Sequence, residues 1–114
     1  MSDLASQTCE PCRGGVDPLD QAAIDALLPQ LGEGWEAIDG HHLTRTWSFP
    51  DFAQALAFVD AIGALAEEQG HHPDLSLSWG RVRIELYTHK IDGLHLADFV
   101  LAAKIDELGG SGST

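Results

Sequence analysis

The chain of 114 residues is short of positive charge: six Lys and Arg stand against eighteen Asp and Glu, a net charge of −12. Such a surface repels nucleic-acid phosphates and anionic membranes, so neither is an expected partner. No apolar run approaches the roughly eighteen residues of a membrane-spanning helix. The N-terminus MSDLASQTCEPC also lacks the basic and apolar regions of a secretory signal, so a soluble cytoplasmic protein is expected. Cysteine is scarce too, confined to Cys9 and Cys12. A zinc ribbon needs a second ligand pair and a thioredoxin-like centre needs a βαβ context. The sequence offers neither, which favours a reduced N-terminal arm over a redox or metal site.

What is present suits one globular domain: 44% apolar residues, 21% charged, and too little chain for two separate cores. We expect a flexible arm over residues 1–16, a domain over 17–108, and a flexible tail, GGSGST, over 109–114. Asp17 and Pro18 read as the start of a first helix, with Leu19, Ala23, Leu27 and Leu31 at spacing four and Pro29 ending it near Leu28. Trp35 to Ile38 and Leu43 to Phe49 read as a hairpin around Asp39-Gly40, with Arg45 interrupting the face shared by Leu43, Trp47 and Phe49.

The strongest helical pattern follows, from Asp51 to Gln69. Phe52, Ala55, Leu56, Val59, Ile62, Gly63 and Ala66 supply its stripe, and Gly70 stands where a C-terminal cap belongs. A second hairpin, Leu75 to Trp79 and Val82 to His89, and a last helix from about His95 to Leu108 complete the order. Helix, then strand–strand–helix twice, predicts an α+β fold: a four-stranded antiparallel sheet with helices packed on one face.

Three of the six histidines flank the second hairpin, His71 and His72 before it and His89 after it. A type II′ turn at Gly80-Arg81 pairs Trp79 with Val82, Leu77 with Ile84 and Leu75 with Leu86 on one apolar face. The same register carries His72 opposite His89, although Pro73 breaks the ladder between them. Glu67 and Glu68 oppose the helix dipole in the last turn, and Glu67, four residues before His71, is positioned to orient it. His41 and His42 fall at the first turn without an equivalent partner and read as solvated.

Over EEQGHHPDLSLSWGRVRIELYTHKIDGLHLADF the sequence closely resembles the pterin-4a-carbinolamine dehydratase family, also known as the dimerisation cofactor of a homeodomain transcription factor. Looser similarity runs from Trp35 through LTRTWSFPDFAQALAFV to AAKID, and the arm with Cys9 and Cys12 looks like that of bacterial members. The matched positions are Glu67, His71, His72, Pro73, Trp79, His89 and Asp98. His95 departs from a Thr common after Gly-Leu, which predicts a poorer cap for the last helix.

The resemblance implies dehydration of a 4a-hydroxytetrahydropterin to quinonoid dihydropterin, in recycling of a tetrahydrobiopterin-type cofactor. His71, His72 and His89 would be catalytic, with Glu67, Pro73, Trp79 and Asp98 binding substrate. An acid and a base suffice, so no cofactor and no metal are expected, and histidine suits both roles. Asp98 also fits a plain first-turn acid, and Trp79 a core residue on the apolar face. The family further implies a homodimer or dimer of dimers, and its fold also serves adaptors, including a transcription coactivator and a Rubisco assembly factor of carboxysome gene clusters. A metal hydrolase is disfavoured because adjacent histidines lack the i, i+4 spacing of helical ligands.

Overall fold

A computed structural model of the chain describes residues 3–6 and 17–109. Cys9 and Cys12 lie outside the described residues. The elements are α1 (Gln21–Leu27), β1 (Glu36–Ile38), β2 (His42–Ser48), α2 (Phe52–Gln69), β3 (Asp74–Ser78), β4 (Arg81–Leu86) and α3 (Leu96–Gly109). The strands form one four-stranded antiparallel sheet, as the α+β reading expects, and their order across it is β1-β2-β4-β3.

Alternation along β4 decides which face is covered. Val82, Ile84 and Leu86 are fully buried while Arg83 is exposed. Burial of each such apolar side chain is worth about 1.5–3 kcal/mol. Leu43 and Trp47 of β2 extend that face, and Phe58 and Ile62 of α2 with Phe99, Leu101 and Ile105 of α3 complete the core. Arg45 points to the same side without breaking it, because it donates to Asp106 of α3 at 2.7 Å and lies 4.5 Å over the Trp47 ring. Asp106 also accepts from Trp35 Nε1 and the Gly32 amide, so this inward charge is paired and hydrogen-bonded rather than stranded.

Several sequence expectations shift. The first helix begins at Gln21, capped by Asp20, whose carboxylate accepts from the Ala23 amide at 2.9 Å. The preceding residues lie along the strand of chain before α3, with the Leu19 amide bonded to the Leu94 carbonyl at 2.8 Å. Residues Asp3–Ser6 form a 3-10 turn whose Leu4 is buried in the core, so this part of the arm is packed. In α2, capped by Asp51, the buried residues are Ala55, Phe58, Ile62 and Ala66. Phe52 and Leu56 of the expected stripe stay exposed.

The second hairpin differs most. Its register pairs Leu75 with Ile84, Leu77 with Val82 and Ser78 with Arg81, which makes Trp79-Gly80 the loop. Gly80 does not adopt the positive φ of a type II′ turn. Its carbonyl instead accepts from the Phe49 amide at 2.8 Å, and a Cβ there would stand 2.7 Å from the Phe49 carbonyl oxygen. Contact with the end of β2 therefore sets the turn, and Trp79 is 69% exposed rather than core. Extended beyond Asp74, this register would set His72 against Tyr87 instead of His89. β4 itself stops at Leu86, short of the predicted His89.

Candidate active site

The chain leaves α2 through Gly70, whose left-handed conformation (φ 67°) glycine adopts without penalty. That turn lets the amides of Gly70 and His71 both reach the Ala66 carbonyl and delivers His71-His72-Pro73 to the start of β3. Across from them, Thr88 closes a small loop by bonding Gly93 in both directions, at 2.8 and 3.4 Å. His89–Ile91 form a 3-10 turn inside that loop. The two segments, residues 70–74 and 87–90, line one cavity of about 390 Å³. That volume suits a small flat heterocycle.

His71, His72 and His89 all line this cavity, and each is held differently. His71 Nε2 lies 2.6 Å from Asp98 Oδ1. Asp98 is fully buried, and its other oxygen accepts from the Thr88 hydroxyl at 2.8 Å and the His95 amide at 2.9 Å. A carboxylate with three donors is well matched in a buried site. His72 Nε2 lies 2.6 Å from Glu67 Oε2 on the exposed rim. Since a carboxylate only accepts, both histidines donate from Nε2, and Nδ1 is the nitrogen left to exchange a proton with a ligand. His89 is 61% exposed, its Nε2 4.0 Å from Asp74, its ring stacked on Tyr87.

These contacts exchange the expected partners. Glu67 orients His72 rather than His71, because five residues around the Gly70 cap bring His72 back over the last turn of α2, while His71 turns inward to Asp98. Asp98 is both a first-turn acid and a partner of a cavity histidine. With His95 it forms a capping box: Asp98 accepts from the His95 amide, and His95 Nδ1 accepts from the Ala97 amide at 3.3 Å. His95 thus caps α3 in place of the absent Thr. Pro73 lines the cavity, whereas Trp79, out at the hairpin turn, does not. His41 and His42 are not simply solvated: His41 Nε2 bonds Asp92 at 2.7 Å, and the His41 ring packs on Tyr87. Thr88 and Tyr87 escaped the sequence reading, though their adjacency to His89 was a signal for both. Among the described residues no group of three or more His, Cys, Asp or Glu is arranged to hold a metal ion. No described helix is long and apolar enough to cross a membrane.

The sequence profile described as pterin 4 alpha carbinolamine dehydratase matches residues 17–108. The chain belongs to this family. A relative in Rubrobacter xylanophilus, provisionally named a pterin-4-alpha-carbinolamine dehydratase, is 54% identical over 108 residues, 95% of this chain and all of the relative. One of the same provisional name in Alkaliphilus metalliredigens is 50% identical, covering 94% of this chain and 96% of its own. Two solved structures are also similar. A transcriptional coactivator/pterin dehydratase from Brucella melitensis has a TM-score of 0.75 at 30% identity, covering 81% of this chain and 98% of its own. A pterin dehydratase-like protein identified as a RuBisCO assembly factor in the alpha-carboxysome has a TM-score of 0.60 at 32% identity, covering 70% and 94%.

Proposed function

We propose that the protein dehydrates 4a-hydroxytetrahydrobiopterin, or a close pterin analogue, to the quinonoid dihydropterin by histidine acid/base catalysis, returning an oxidised pterin to the pool for reduction. The observation that carries this reading is the convergence of His71, His72 and His89 on one cavity, two of them oriented by carboxylates. In the reaction the C4a–O bond breaks as the hydroxyl takes a proton and leaves as water. N5 loses its proton as the C4a=N5 bond forms, so no net proton or electron is consumed. His72 and His89 carry these transfers, and His71, held by Asp98, orients the pterin. Positioned acid/base groups of this kind contribute roughly 10²–10⁴ in rate. The test is freshly generated 4a-carbinolamine with dehydration followed by absorbance; unchanged rates in both His72→Ala and His89→Ala defeat the mechanism.

The likeness to a RuBisCO assembly factor supports a second reading, a dimeric adaptor of the same fold. β3 is an edge strand with Leu75 exposed, and α2 exposes Phe52 and Leu56, which favours self-association as a homodimer or dimer of dimers. Absent turnover together with stoichiometric capture of a protein partner would favour the adaptor. Light scattering reads the oligomer directly.

A further inference from the structure

Beside the cavity three rings form a column. The Tyr87 ring lies 4.2 Å from that of His89 at an interplanar angle of 9°, and His41, from the turn between β1 and β2, packs against Tyr87 at 4.5 Å. His41 also reaches the segment carrying His89 by a second route: its Nε2 is 2.7 Å from Asp92 Oδ1, and Asp92 ends the 3-10 turn that His89 begins. With Nε2–H given to that carboxylate, His41 Nδ1 is left to accept from His42 Nδ1–H, 3.1 Å away. One tautomer therefore satisfies both contacts.

His89 has need of such a support. His71 and His72 are each fixed by a carboxylate at 2.6 Å, whereas among the described residues the nearest carboxylate to His89 is that of Asp74 at 4.0 Å, beyond hydrogen-bond reach. Its ring is oriented by the parallel face of Tyr87. We propose that Tyr87 and His41 are positioning residues for His89, holding its imidazole at the cavity by stacking where the other two histidines are held by hydrogen bonds. The role rests on the dehydratase reading above. An imidazole free to tilt spends less time with its nitrogen in line with the transferred proton, so the loss falls on turnover rather than on substrate binding.

The experiment combines turnover with NMR of the histidine ring protons in the substrate-free full chain, the His89 signal being assigned through His89→Gln. Stacking shields His89 Hε1. In Tyr87→Leu that signal should move downfield while the His71 signal stays in place, and kcat should fall roughly two- to tenfold at nearly constant KM, the range set by one aromatic pair. Tyr87→Phe should restore both, and His41→Ala should show a smaller form of both changes. An unmoved His89 signal in Tyr87→Leu overturns the proposal. So does a moved signal with unchanged kcat, or a loss confined to KM, which would make Tyr87 a substrate contact. Wild-type protein without turnover removes the dehydratase reading instead, and the substrate-free spectra still decide whether Tyr87 holds His89.

Discussion

His71 and the pair His72 and His89 face the same cavity from opposite extremes of burial. His71, with its side chain 18% exposed, ends on a carboxylate that no solvent reaches. His72 and His89 are about 60% exposed, at 59% and 61%. Behind His71 the network continues through Asp98 to Thr88 and the His95 amide, so it ties α2, the loop after β4 and the start of α3 together. On the rim the supports are local, Glu67 for His72, and the Tyr87 ring with the more distant Asp74 carboxylate for His89. A buried charged group costs free energy unless every lone pair is matched, so the inner network belongs to the fold as much as to the site. Rim contacts are screened by water and contribute little to stability, which leaves those side chains free to serve chemistry.

Substitutions should separate the two regions. The largest effect is expected on the rim and in rate: His72→Ala and His89→Ala should each lower kcat/KM by roughly 10²-fold or more. Their unfolding free energies, read by urea denaturation, should stay within about 0.5 kcal/mol of wild type. Equal losses of stability and rate there would erase the distinction. Next, Asp98→Ala should destabilise by about 3–4 kcal/mol, because it strands His71, the Thr88 hydroxyl and the His95 amide and removes half of the cap of α3. Chemical denaturation reads this, and a stability loss under 1 kcal/mol would show that the inner network is not structural.

Thr88→Val keeps the shape but drops the 2.8 Å bond to Asp98, for an expected cost of about 1 kcal/mol. Smallest is Glu67→Gln, which loses an exposed ion pair worth about 0–1 kcal/mol. Its stability difference from wild type should vanish as salt is raised, and persistence at 1 M salt would place Glu67 with the inner group.

Much of the site was legible before folding. The acidic residue, the His-His-Pro run and the distant His89 and Asp98 sit in the spacing on which the family resemblance rested, and the periodicity of α2 with Gly70 after it located the first two histidines at a helix end. What the spacing could not rank was the pairing. Glu67 is four residues from His71 and five from His72, close enough to reach either, and the choice fell to Asp98, twenty-seven residues from His71 in sequence. A long-range partner of that kind leaves no local periodic signal.

Strand faces, element order and the α+β architecture were determined by the sequence itself, because alternation along β4 and the 3.6-residue period of α2 are local properties of the chain. Register was not. Shifting the second hairpin by two residues keeps every side chain on its own face, so the hydrophobic pattern is equally content with Gly80-Arg81 or Trp79-Gly80 in the turn. The hydrogen bond from Phe49 to Gly80, made between segments thirty-one residues apart, selects the second. That choice turns Trp79 out to solvent. The ring column belongs likewise to tertiary structure, since only the packed sheet brings His41 beside Tyr87.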